Sequence, residues 1–187
     1  MLATGATVVR RAEGRLLVMS RFDAAARREY VAAFNADTTA AHISVATATP
    51  TSAWTPLLGG GAQPRSGSDG VLGLDVPGLA AVLLHADADV PASAPSAPAL
   101  RVAHDGVTPA WRLTATVAGR TPVSVAFVVR EPGGTWKRLG ADDSPPYRAF
   151  LDPRHYRREE RVQLVAIART LDGRVRPSRV LTLTVRR

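Results

Sequence analysis

Apolar and polar residues alternate with a period of two along most of the chain. Ile43 and Val45 alternate with His42 and Ser44, and Leu72, Leu74 and Val76 with Gly73 and Asp75. Each run predicts a strand with one buried face. Thr7-Val8-Val9-Arg10 leads into the turn Glu13-Gly14, and Arg15–Phe22 with Arg28–Asn35 forms an expected strand pair. Between those two, Asp23 to Arg27 has room for one helical turn, but the β-branched and aromatic flanks favour strand. Leu79 to His85 is a nearly continuous apolar run and reads as a further strand. Leu57 to Gly70, rich in Gly and Ser, reads as a long open hairpin tip outside any packed element.

The second half alternates more regularly. Trp111, Leu113, Ala115 and Val117 share one face of a strand, while Arg112, Thr114 and Thr116 share the other; Val123, Val125, Phe127 and Val129 repeat the pattern. Leu100 with Val102, Trp136–Leu139, Tyr147–Leu151, Val162–Thr170 and Leu181–Val185 complete about seven strands. Their regular spacing is that of an immunoglobulin-like sandwich. Leu171-Asp172-Gly173-Arg174 is a hairpin turn, and Asp152–Tyr156 is the single helical candidate, expected as one turn between sheets. The reading is therefore all-β, with two β-sandwich modules: residues 1–90, a Pro/Ala/Ser linker at 91–98 with no large side chain to offer either core, and residues 99–187.

Charge divides unevenly between the modules. The chain has 187 residues and a net charge of +8. Residues 1–90 hold seven arginines against eight carboxylates, a net of −1; residues 91–187 hold 17 basic against eight acidic groups, a net of +9. The basic half suits contact with polyanions or with an acidic neighbouring domain. There is no cysteine, so disulfides and thiolate metal sites are excluded. No apolar run approaches membrane-spanning length, and Met1–Gly5 lacks the pattern of a signal peptide.

The first module resembles the C-terminal β-sandwich of the alpha-amylase family of glycoside hydrolases. The segments that carry the resemblance are Thr7–Gly14, Val18–Asp23 with Glu29–Asn35, Ala53-Trp54-Thr55-Pro56-Leu57-Leu58-Gly59-Gly60, and Leu74–Leu84, where a proline precedes the closing strand. The second module is similar to immunoglobulin-like domains appended to such enzymes, through Trp136–Arg148. The resemblance implies a secreted or cell-surface parent whose upstream catalytic barrel is this region's partner, and possible contact with alpha-glucan. The barrel and its carboxylate triad have no counterpart here, so no hydrolytic role carries over to any residue.

The residues themselves point the same way. Glycoside hydrolysis needs two carboxyl groups facing each other across the scissile bond. Asp142-Asp143 is the nearest approach to such a pair, but neighbours on extended chain point apart, and turn-stabilising aspartates are expected. His42, His85, His104 and His155 match no metal spacing, Asp87-Ala88-Asp89 lacks the rest of a calcium loop, and Gly59-Gly60-Gly61 lacks the Lys-Ser/Thr of a phosphate loop. Neither catalytic residues, a metal nor a cofactor is expected. Aromatic rings stack on sugar faces, which makes Trp54, Trp136 and Tyr147 candidate carbohydrate-binding residues against the alternative that they anchor the cores. Trp111, in phase with Leu113, is expected in the core. The arginine groups at 154–161 and 174–179 are interrupted by Glu159 and Glu160 and read as a solvated or docking face, not a nucleic-acid surface. The expected function is a non-catalytic accessory region that packs on, stabilises or spaces a glycoside hydrolase barrel. Its rivals are a starch- or glycogen-binding module and a surface adhesion or polyanion-binding module.

Overall fold

The computed structural model describes residues 6–59, 61–92, 94–119 and 122–186. The chain divides into two compact units, Met1–Ser93 and Ala94–Arg187.

Unit 1 contains β1 (Thr7–Glu13), β2 (Leu16–Asp23), β3 (Arg28–Asn35), β4 (Ala41–Ala46), β5 (Trp54–Leu58), β6 (Val71–Val76) and β7 (Ala80–Ala86). An antiparallel sheet of order β1-β2-β3-β7-β5 faces a two-stranded sheet of β4 and β6. The alternation read from the sequence places Val18, Val31, Val82 and Leu84 of the large sheet against Ile43, Val45, Leu72 and Leu74 of the small one, with Trp54 between them. The Asp23–Arg27 connection is a turn without helix: the Asp23 carboxylate accepts from the backbone N–H groups of Ala25 and Ala26 at 2.9 and 3.0 Å.

Two details differ from the sequence reading. The final strand begins at Ala80, because Leu79 has φ 52° and is 71% exposed, making it a turn residue. Its neighbour Gly78 passes so close to the Thr38 carbonyl that any Cβ there would collide with backbone. The segment expected as an open hairpin tip also folds back onto the unit. Trp54 N donates to Pro64 O, Ser66 N to Ser52 O, and Ser66 is buried. The Ser66 hydroxyl donates to Thr49 O at 2.7 Å and accepts from the Trp54 indole N–H at 3.2 Å. A buried hydroxyl with both capacities used fixes a segment that composition alone marks as loose.

Unit 2 contains β8 (Ala99–His104), β9 (Trp111–Thr116), β10 (Val123–Arg130), β11 (Lys137–Asp142), β12 (Tyr147–Leu151), a 3-10 turn (Pro153–His155), β13 (Arg161–Thr170), β14 (Val175–Pro177) and β15 (Leu181–Thr184). A three-stranded sheet, β12-β9-β8, packs on a sheet of order β11-β10-β13-β14, in which β15 also pairs with β13. Leu113, Ala115, Tyr147, Ala149 and Leu151 from one sheet meet Val125, Phe127, Val129, Leu164 and Ala166 from the other. β14 and β15 flank successive stretches of β13, interrupted at Ser178. There Ser178 N donates to Ala166 O, and the Ser178 hydroxyl accepts from Ala166 N at 3.0 Å, so a side chain completes the ladder across the break. The 3-10 turn falls where a single turn was expected, capped by Asp152 accepting from Arg154 N. In the segment expected to join neither core, Pro95 and Pro98 are buried, whereas Pro91 and Ala92 are exposed. The proline rings are compact enough to be covered without a large side chain.

Candidate functional site

The three aromatic candidates have different environments. Trp54 opens β5 and is 0% exposed, enclosed by the core of unit 1. A sugar has no ring face to stack on there, so the structure removes Trp54 from the candidates. Tyr147 opens β12 on the inward side, paired with Ala115, and is 5% exposed. Burial pushes its phenol up to about 12, with the nearby Asp142 and Asp143 charges adding in the same direction. It too is a core anchor.

Trp136 differs. It lies just before β11 and is 40% exposed, with the Arg130 guanidinium 4.7 Å from its ring centroid. Of the three, it alone presents an aromatic surface to solvent. Trp111 packs on the core as expected but is only partly buried, its ring lying against His104 with centroids 3.6 Å apart.

Asp142 and Asp75 are engaged in local contacts. Asp142 accepts from Ser144 N at 3.1 Å and from Arg148 N at 2.9 Å, which ties the β11–β12 connection together. His42 meets Asp75 across the β4–β6 pair at 2.6 Å on an exposed surface. Among the described residues, no three His, Cys, Asp or Glu side chains come together as a metal site. Among the described residues, no helix is long and apolar enough to cross a membrane. Of Gly59-Gly60-Gly61, Gly60 lies outside the described residues.

Two features escaped the sequence reading. The first is Glu29, wholly buried on β3. Its Oε1 accepts from the Ser20 hydroxyl at 2.6 Å and Arg10 Nη2 at 3.1 Å, and its Oε2 from Ala48 N at 2.7 Å and the Thr49 hydroxyl at 3.0 Å. Arg10 reaches it because a register shift between Val9 and Arg11 turns that residue out of the regular alternation. The signal was phase: Glu29 shares its face with Val31 and Ala33.

The second is the outer face of the five-stranded sheet. Strand register aligns Val9, Met19, Ala32, Leu83 and Leu58 in one row across all five strands. A second row holds Ala12, Leu17, Phe34 and Ala81. Val9, Phe34 and Leu58 are 49%, 44% and 58% exposed. These nine positions carry no polar side chain, whereas the outer face of the β4–β6 pair presents His42, Ser44 and Asp75. An antiparallel sheet with one solvated face is normally polar on that face. Here the third outward row, Arg21, Tyr30, His85 and Thr55, is polar, and the two apolar rows beside it form a band that a partner surface could cover. Five strands at about 4.8 Å spacing make the band about 19 Å wide. Exposed apolar patches larger than a few hundred Å² mark interaction sites.

The fold thus defines a pair of β-sandwiches. No family model matches the chain. Over 135 residues it is 34% identical to an alpha-amylase of Streptomyces lividans, an alignment covering 71% of this chain and 15% of that enzyme. A beta-1,2-glucanase from Parabacteroides distasonis aligns over 97% of this chain and 34% of its own, at 11% identity and a TM-score of 0.36, a likeness too low to carry a structural argument. The chain therefore corresponds to a small part of the alpha-amylase it resembles.

Proposed function

We propose that this chain is a non-catalytic accessory region of an alpha-glucan-acting glycoside hydrolase of the alpha-amylase family, exported or displayed at the cell surface with its parent. Unit 1 packs against the catalytic barrel through the outer face of its five-stranded sheet, and unit 2, an immunoglobulin-like sandwich, acts as spacer or docking module. The observation that carries this reading is the two-row apolar band centred on Met19, Ala32 and Leu83. It is supported by the 34% identity to part of an alpha-amylase. Covering such a band removes apolar surface from water at about 25 cal/mol per Å², which stabilises both partners.

The test is residue-level footprinting of the full-length gene product beside the chain 1–187. Protection of Val9, Phe34 and Leu58 only in the full-length protein is expected, with Phe34→Glu lowering the thermal transition of the catalytic domain. Equal labelling of these residues in both proteins refutes the proposal.

A further inference from the structure

At one end of the five-stranded sheet of unit 2, a cross-strand row of polar and aromatic side chains faces outward. Arg130, the last residue of β10, pairs with Gln163 on β13, and Gln163 pairs with Thr182 on β15. Their neighbours Val129 and Leu164 point into the core. On the other side of Arg130 stands Trp136, exposed, with the guanidinium at 4.7 Å. Arg130 is held in this position: Nε donates to Gln163 Oε1 at 2.9 Å, and Nη2 donates to the same oxygen. An arginine clamped between an amide and an indole loses little further freedom when it binds a ligand.

The row borders a cleft of about 600 Å³ lined by Arg130, Glu131, Gly133, Arg161, Gln163 and Thr182. That volume lies within the range of small-molecule sites, about 300–1,000 Å³. The charge in the cleft is lopsided. Glu131 is taken by Lys137 Nζ at 2.9 Å, while Arg161, exposed, makes no ion pair among the described residues. Gln163 keeps its amide NH2, and Thr182 a hydroxyl that both donates and accepts.

We propose that this cleft binds an acidic saccharide, a sugar carrying a carboxylate. The carboxylate is met in the cleft by Arg130 and Arg161, and ring hydroxyls are bonded by Gln163 and Thr182. A sugar ring extending past Arg130 reaches the exposed part of Trp136, which stands beside the cleft and outside its lining. The chemistry favours a saccharide over other anions. A phosphate polymer calls for donors alone and an acidic peptide for no ring platform, whereas a hydroxyl-rich ring with one charge uses every group in the row. The proposal stands independently of the packing role of unit 1.

The test is isothermal titration of the whole chain with an oligogalacturonate, a maltooligosaccharide of equal length and an oligoglutamate peptide, at low and at physiological salt. Binding of the oligogalacturonate alone is expected, weakening as salt rises because its charge is met at an open cleft. Trp136→Ala and Arg161→Gln should each weaken it about tenfold, a loss of about 1.4 kcal/mol, with the unfolding transition of unit 2 unmoved. Both side chains are exposed, so the fold does not depend on them. Equal affinity for the maltooligosaccharide or the peptide, retained affinity in both variants, or absence of binding by the oligogalacturonate overturns the proposal.

Discussion

Replacing Glu29 by Gln removes one charge and almost no volume, and the hydrogen bonds around the site set the cost. The carboxylate accepts four of them, two on each oxygen. An amide keeps one oxygen and presents N–H donors where the other stood. Turned one way, its NH2 faces Ala48 N–H; turned the other, it faces the Arg10 guanidinium. Neither group is able to accept, so both orientations leave opposed donors. Ser20 and Thr49 hydroxyls can rotate to accept, but only one of the two benefits in either orientation. Arg10, at 14% side-chain exposure, also loses its counter-charge.

Breaking a buried pair by removing one partner costs about 3–5 kcal/mol. The lower end applies to the Glu29→Gln variant because half the acceptors survive. For a unit of this size, 1 kcal/mol moves the melting temperature by about 4–8 °C. Glu29→Gln should therefore lower the unit 1 transition by at least about 12 °C. Trp54 reports that transition directly, since it is the one tryptophan of unit 1 and its indole bonds to Ser66, which bonds to Thr49, which bonds to Glu29. Urea and thermal unfolding followed by Trp54 fluorescence, in a Trp111→Phe, Trp136→Phe background, is the assay. Transitions assigned to unit 2 should not move. A shift in unit 1 corresponding to less than about 0.5 kcal/mol, the scale of an ordinary surface substitution, refutes the argument that this network holds the β4–β5 connection.

Three further outcomes are expected. Trp54→Ala should destabilise unit 1 by about 3–5 kcal/mol in urea unfolding, the usual cost of emptying a core aromatic site; a change typical of surface positions would return Trp54 to the binding candidates. The buried Tyr147 phenol titrates near 12, above its unfolded value of 10, so the folded state holds its proton where the unfolded state has lost it. Its contribution is complete below pH about 10 and is lost as pH rises through about 12. Tyr147→Phe should flatten the fall in unit 2 stability across that window, and an unchanged pH profile would contradict the assignment. Asp142→Ala should destabilise unit 2 by about 0.5–1.5 kcal/mol, through loss of two hydrogen bonds at a partly exposed turn where water can reach the freed donors. Assays of the chain on starch should give no reducing-sugar release with or without that substitution, and hydrolysis lost on Asp142→Asn would overturn the structural role.

The period-two alternation by itself determined the all-β class and most strand faces, because inward and outward positions of a strand are separated by one residue whatever it pairs with. Local residue chemistry, not the alternation, placed the turn at Asp152 and the turn-stabilising role of Asp142, which depend on neighbours a few residues away. Solvent exposure of the aromatics was decided only by the tertiary structure. Trp54, Trp136 and Tyr147 all sit near loops or strand starts, yet only the packing of a second sheet buries the first and third and leaves Trp136 beside Arg130. The apolar band on the outer face of unit 1 is likewise a property of register. Val9, Met19, Ala32, Leu83 and Leu58 come from five separate strands and become one row only when those strands are paired. Glu29 lay between these cases: its phase put it inside, but its four partners come from β1, β2 and the β4–β5 connection. A buried carboxylate there is tolerable only because the folded chain delivers those donors to it together.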